Sequence, residues 1–157
     1  MPPMEIERKF TVKALPENLD SYPFHLIEQA YLNTDPVLRI RRQDDEYYLT
    51  YKGKGLMARE EYNLPLNQSS YEHLLPKADG ICISKKRYLI PWDPYTIELD
   101  VFDAPFAPLI MAEVEFGSKE AAEAFAPPAW FDKDVTYCKE YHNSYLALEL
   151  HHAPENS

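Results

Sequence analysis

The chain has little of several things, and each shortage excludes something. No apolar run approaches the ~20 residues needed to cross a bilayer, so no membrane-spanning helix is expected. The segment from Met1 to Lys9 carries no apolar core, so it does not read as a secretory signal; residues 1–3 are expected to fray. Cysteine is limited to Cys82 and Cys138, which follow no metal-ligand spacing. They read as free, buried or partly buried thiols and point to a reducing compartment, the cytoplasm. Cations are outnumbered, with 16 Lys and Arg against 26 Asp and Glu for a net charge of -10. That balance argues against nucleic acid and anionic membrane as partners, since both require concentrated basic surface. Any polyanion this chain binds has to be met by cations gathered in one place.

Glycine is also scarce, four residues against 12 Tyr, seven Phe and two Trp, and that balance suits pleated strands. A length of 157 residues fits one domain with a single sizeable core. Period-two alternation marks strands at Glu5–Val12, Glu28–Leu32, Val37–Arg42, Glu46–Lys52, Ala58–Leu64, Ile81–Ile90, Thr96–Phe102 and Ile110–Phe116. Gln43-Asp44-Asp45 reads as a hairpin turn. The fold class expected is mainly β, an eight-stranded antiparallel barrel or a sandwich with a few peripheral helices. Ser69-Ser70-Tyr71-Glu72 fits a capping box for a short helix reaching Leu75. Ser118 is placed to cap a second helix that Pro127-Pro128 stops. A final helix presents Tyr141, Tyr145 and Leu148 on one face, and residues 151–157 form a disordered tail beyond the domain of residues 1–150.

Residues two apart on a strand share a face. Glu5, Glu7 and Lys9 therefore point together, as do Arg39 with Arg41, Arg59 with Glu61, Lys85 with Arg87, Glu98 with Asp100, and Glu113 with Glu115. Lys52 shares its face with Thr50 and Tyr48. The Tyr31 strand alone lacks a charged face. Such faces suit the solvated outside of a half-buried sheet, and periodicity does not say which face points inward. Four pairs, however, are segregated by sign, whereas surface strands usually mix signs because like neighbours repel. Turned inward, with Lys139 added, the set comprises eight cations (Lys9, Arg39, Arg41, Lys52, Arg59, Lys85, Arg87, Lys139) and seven carboxylates (Glu5, Glu7, Glu61, Glu98, Asp100, Glu113, Glu115). Arginine suits bidentate contact with phosphate, and clustered carboxylates suit Mg2+ or Mn2+.

The run Glu5-Ile6-Glu7-Arg8-Lys9 resembles the ExExK signature of the CYTH domain, or triphosphate tunnel metalloenzyme, superfamily. Leu38–Arg41, Tyr51–Gly53, Arg59–Tyr62, Lys85–Tyr88, Glu98–Phe102 and Glu113–Phe116 resemble its later strand motifs, in order, from about Met4 to Leu148. The segment from Ala112 through Trp130 and Phe131 to the final helix looks like the compact bacterial inorganic triphosphatases of that family. The resemblance implies a barrel open as a tunnel, charged faces inward, hydrolysing inorganic triphosphate to pyrophosphate and phosphate with one or two divalent ions. Glu113, Glu115, Glu61 and Asp100 would hold the principal ion, and Glu5 and Glu7 a second; Glu98 belongs to the same acidic set. Lys9, Arg39, Arg41, Lys52, Arg59 and Arg87 would grip the phosphates, with Lys139 closing one end. Lys85 with Tyr31 is favoured for activating water, the alternative being Glu5 and Glu7 acting through metal-bound water.

Glu61, not Glu60, is expected to face inward, Lys86 outward. Asn63 stands where relatives commonly carry a carboxylate. His25, His73 and His142 show no spacing that suggests catalysis. Rival readings are a thiamine triphosphatase, a nucleoside triphosphatase or an adenylate cyclase, although no aromatic pocket for a base or thiazole is evident. A polyphosphate-binding module without catalysis and a small-ligand barrel with apolar faces inward also remain. The sequence leaves oligomeric state open, a homodimer being compatible with so small a barrel.

Overall fold

The structure, a computed structural model, describes residues 3–152, and side chains as far as Leu148. Nine strands are present: β1 (Met4–Val12), β2 (Phe24–Thr34), β3 (Val37–Gln43), β4 (Glu46–Lys52), β5 (Ala58–Leu66), β6 (Asp79–Trp92), β7 (Tyr95–Phe102), β8 (Ile110–Glu115) and β9 (Phe131–Asp134). The first eight close an antiparallel barrel in the order β5-β4-β3-β2-β6-β7-β8-β1, with β5 returning to β1. That seam is short: Met4, Glu5 and Ile6 pair with Glu60, Arg59 and Ala58. Beyond it the free edge of β1 is taken by β9, through Phe10 and Val12. The four-residue β9 was not foreseen, because its Phe-Asp-Lys-Asp sequence is too short and too polar to show alternation.

The two-residue turn between β3 and β4 places Asp44 at φ 54°, a conformation Asp tolerates and tight hairpins require. Three helices dress the barrel: α1 (Gln68–Leu74), α2 (Lys119–Ala124) and α3 (Asn143–His152). Ser118 caps α2 as expected, its hydroxyl accepting from the Ala121 N–H. The expected capping box on α1 is corrected: Asn67 is the cap, taking the Ser70 N–H at 2.8 Å. Asn in extended backbone caps as well as Ser, and it stands two residues earlier. The expected face of the last helix is also corrected. Tyr141 lies in a 3-10 turn before α3, Tyr145 is exposed, and among the described side chains of α3 the fully buried one is Ala147. Of the tail expected from residue 151, His151 and His152 end α3, and residues 153–157 lie outside the described residues. Both thiols are free, but Cys82 is exposed rather than buried.

Apolar side chains pack in three places. On the outer wall, Phe10, Ile97, Leu99, Val114 and Phe131 gather under α2, and Ala30 and Ile40 lie under Tyr71 of α1. The third cluster joins Tyr31, Val37, Ile83, Phe102 and Met111 to Ala147 of α3. These strand residues share faces with Arg39, Lys85, Asp100 and Glu113, so α3 and an apolar layer stopper one end of a charged interior. Among the described residues no helix is long and apolar enough to cross a membrane.

The stopper depends on a close approach. Gly80 at φ 70° faces the backbone of α3, and a Cβ at that position would overlap the Ala147 carbonyl oxygen. Gly80→Ala is therefore expected to cost about 2–4 kcal/mol through strain and overpacking. Urea denaturation checks this; an unchanged midpoint would show that α3 yields freely.

Candidate active site

The eight inward faces enclose a cavity of about 320 Å3. Strand β1 contributes Glu5, Glu7 and Lys9; β3 contributes Arg39 and Arg41; β4 contributes Thr50 and Lys52; β5 contributes Arg59, Glu61 and Asn63. From the other half come Tyr31 of β2, Lys85 and Arg87 of β6, Glu98 of β7, and Glu113 and Glu115 of β8. The charged faces point inward because the opposite faces are apolar and covered by α1, α2 and their flanking segments. That arrangement removes both the solvated-sheet reading and the small-ligand barrel. Glu60 is absent from the lining while Glu61 is present. Lys86 sits outside over the rings of Phe24 and Tyr88, also as expected.

Burying so much charge requires pairing. Lys9 Nζ lies 3.1 Å from Glu113, and Lys52 Nζ lies 2.7 Å from Glu5 and 3.2 Å from Glu61. Arg87 reaches Asp100 at 2.7 Å, Glu98 at 3.2 Å and Glu113 at 3.3 Å. Lys85 lies 2.7 Å from Asp100 and donates to Asn143 Oδ1 at 3.1 Å. Burial works against Glu113 and Asp100 as anions, but these cations hold both below the usual carboxylate range. Burial, reinforced by Arg87 and Arg41, lowers Lys85 to about 7 despite Asp100.

Three guanidiniums are different. Arg39, Arg41 and Arg59 have no carboxylate within salt-bridge distance among the described residues. Arg39 Nη2 donates to Thr50 Oγ1 at 3.3 Å, and its buried Nε has no partner. Arg41 donates only to Gln29 Oε1, at 2.6 and 2.9 Å. Burial and the neighbouring Arg39 and Arg87 depress Arg41 as an acid–base group, the mark of cations that repel one another. Thr50 in turn donates to Asn63 Oδ1 at 2.6 Å, and Asn63 Nδ2 donates to Glu61 at 3.1 Å. Asn63 thus ties the cationic side to the acidic side.

Across the cavity, Glu5, Glu7 and Glu115 each bring a carboxylate oxygen within 4.8 Å of the others. Burial and then the charges of Glu113 and Glu5 raise Glu7 well above the normal range. Burial, followed by Glu98, Glu5 and Glu61, raises Glu115 to about 7. Glu5 escapes, lowered to about 2 against its burial by Lys52. This grouping differs from the expected one. Asp100 is fully buried behind Arg87 and Lys85 and does not line the cavity, Glu113 is committed to Lys9 and Arg87, and Glu115 joins Glu5 and Glu7 instead. Barrel closure brings β1 beside β8, with Glu7 opposite Glu115, a juxtaposition sequence spacing does not contain.

Lys139 is likewise not in the tunnel. It is exposed and lines a second, mostly apolar cavity of about 480 Å3 with Leu56, Tyr145 and Leu148. The two cavities share Val37, Arg59, His142 and Ser144. His142, set aside on spacing, is buried in both walls; its Nε2–H donates to Thr136 O at 2.9 Å, leaving Nδ1 bare. Burial and then Lys9 lower it to about 4, so it is neutral. Gln29, Thr50 and Asn143 were also missed. Gln29 stands two residues before Tyr31 on the same face, but that face carries no charge to mark it in the sequence.

A model of the CYTH domain matches residues 3–126. An inorganic triphosphatase of Nitrosomonas europaea is 42% identical over 152 residues, covering 93% of this chain and 98% of that protein. One from Acetivibrio thermocellus is 32% identical, covering 90% and 92%. A solved inorganic triphosphatase structure superposes with a TM-score of 0.68 at 39% identity, over 92% of this chain and 94% of that one. A Pyrococcus horikoshii protein at 20% identity shares the fold, with a TM-score of 0.54 over 76% of this chain and 82% of that one. Matched along its length in sequence and in barrel architecture, the chain belongs to the CYTH domain family.

Proposed function

We propose that this chain hydrolyses inorganic triphosphate to pyrophosphate and phosphate, aided by Mg2+ or Mn2+. The observation that carries the reading is the division of one cavity. Guanidiniums without carboxylate partners stand on one side, and on the other stand three carboxyls of which two, Glu7 and Glu115, are pushed above the usual range. Arg39, Arg41 and Arg59 supply unspent donors for a chain carrying about four to five negative charges. Lys9, Lys52 and Arg87 add charge while remaining tied to their carboxylates.

The oxygens of Glu5, Glu7 and Glu115 suit a hard divalent cation, which would offset the burial and the mutual repulsion that now raise Glu7 and Glu115. When bound, such an ion supplies Lewis-acid stabilisation of phosphoryl oxygens. Glu61, Glu98, Glu113 and Asp100 are left to hold the cations in place, and Lys139 to border the second cavity. Lys85, lowered to about 7, is the group we assign to take the proton of the attacking water. The water oxygen bonds to the terminal phosphorus, the P–O anhydride bond breaks, and phosphate and pyrophosphate leave. Free thiols fit a cytoplasmic setting.

A second reading rests on the apolar cavity that adjoins the tunnel, an enclosure the sequence did not reveal. Tyr145, Leu148 and Leu56 there could receive the organic part of a triphosphate ester.

Phosphate release from inorganic triphosphate, ATP and thiamine triphosphate, with Mg2+, Mn2+ or EDTA, separates these readings. The expected result is metal-dependent turnover of inorganic triphosphate, abolished in Glu115→Ala and reduced chiefly in kcat by Lys85→Met. Binding without turnover of any substrate would leave a polyphosphate-binding module, and preference for an ester would move the function to the second reading. Arg39→Ala and Arg41→Ala are each expected to raise KM for triphosphate about tenfold or more, since a charged hydrogen bond is worth about 1.5–3 kcal/mol.

Metal binding should also compete with protons. A carboxyl raised to about 7 carries its proton below that pH, so the ion must displace it. Calorimetric Mg2+ affinity is expected to fall by about tenfold or more per pH unit below 7, since Glu7, also raised, takes up a proton as well. Affinity independent of pH from 6 to 8 would place the ion elsewhere.

A further inference from the structure

The sheet register sets Gln29 of β2 directly opposite Arg41 of β3, and Tyr31 opposite Arg39. Gln29 is fully buried, so both ends of its amide need partners. Its Oε1 accepts from Arg41 Nε at 2.9 Å and Nη2 at 2.6 Å. A guanidinium has only donors, so it can meet only the oxygen of the amide. The amide orientation is thereby fixed, and the nitrogen must face the other way, where Nε2 donates to the Tyr31 hydroxyl oxygen at 3.1 Å.

This has a consequence for Tyr31. A phenol oxygen has two in-plane hydrogen-bonding directions, one for its own proton and one for a lone pair. Gln29 occupies the lone-pair direction. The hydroxyl has no other partner among the described residues, and Tyr31 lines the tunnel. Its proton is therefore directed into the cavity.

We propose that Gln29 is a positioning residue that locks the Tyr31 hydroxyl as a hydrogen-bond donor toward a phosphoryl oxygen of the bound triphosphate. Arg41 is the reference point: it orients Gln29, and Gln29 orients Tyr31. Tyr31 then contributes by donating to charge that develops on phosphoryl oxygen, while accepting the proton of water is left to Lys85. The inference rests on the triphosphate reading and refines the part Tyr31 plays in it.

The test reverses the polarity of the middle group without changing its shape. In Gln29→Glu the introduced carboxylate still satisfies Arg41 but offers Tyr31 an acceptor, so the hydroxyl turns away from the tunnel. Gln29→Met removes both bonds. Both variants are expected to lower kcat roughly a hundred- to a thousandfold, the range for losing one donor at a reacting oxygen. Gln29→Glu also raises KM by neutralising Arg41. In a Tyr31→Phe background the kcat effect of both should vanish while the KM effect persists. Carbon-13 at the ζ position of tyrosine, with Tyr31 assigned by loss of its signal in Tyr31→Phe, gives a readout without turnover. In EDTA, inorganic triphosphate should shift the Tyr31 resonance in the wild-type protein but not in Gln29→Glu. The proposal is overturned by a kcat loss that persists in Tyr31→Phe, by a wild-type resonance that does not respond, or by one that responds equally in Gln29→Glu. A resonance that responds as expected in a protein that hydrolyses nothing would instead overturn the triphosphatase reading and leave the positioning intact.

Discussion

A barrel this small can enclose ionised side chains only if their charges are compensated at close range, because an unpaired ion in a poorly hydrated interior costs several kcal/mol. Here the compensation is deliberately uneven. Lys9, Lys52, Lys85 and Arg87 are matched to Glu113, Glu5, Glu61, Glu98 and Asp100 by contacts of 2.7 to 3.3 Å. Arg39, Arg41 and Arg59 are left with neutral partners or none, and Glu7 and Glu115, which have no cation partner among the described residues, crowd against Glu5 instead of meeting them. The paired residues make the interior tolerable, and the unpaired ones make it receptive. A polyanion and a divalent cation together are the chemistry that completes both halves.

The fold supports this imbalance by separating its apolar and charged work. The apolar groups lie mainly on the outside of the wall under α1 and α2, with one further layer inside, where α3 stoppers the barrel. Because the helices carry the burial, the inner faces of the strands are free to be polar. The same helix brings Asn143 to Lys85 and Ser144 to the cavity wall, so the stopper also furnishes the site. Neutral amides finish the arrangement: Gln29 joins Arg41 to Tyr31, and Asn63 joins Thr50 to Glu61. An amide has a donor end and an acceptor end, so each such link transmits a direction as well as a contact.

Which residues share a face was legible from the sequence, since period two is a local property of extended backbone. The grouping of the charged residues from Glu5 to Glu115 follows from it, as does the separation of Glu61 from Glu60 and of Lys86 from Lys85. Their inward direction rested instead on the segregation of sign and on the family resemblance, and the Ser118 cap is a separate local signal of a helix start. The ordered motifs carried the resemblance to the CYTH family for the same reason: each lies within a single strand. Errors arose where strands or elements meet. Asn67 displaced the Ser69 capping box, β9 shows no alternation, Lys139 lies outside the tunnel, and α3 buries Ala147, because Gly80 lets two backbones touch.

The sequence by itself determined the barrel's alternation, its sign-segregated faces and the identity of nearly every charged group in the cavity, because these depend only on neighbours two residues apart. The tertiary structure decided the partnerships. Closure of β1 against β8 and β5 placed Glu5 and Glu7 beside Glu115, shear and register gave Asp100 to Arg87 and Lys85, and the β2–β3 pairing set Gln29 against Arg41. Whether a buried charge is spent on a neighbour or left for a ligand depends on distances between residues far apart in the chain, and those exist only once the barrel has closed.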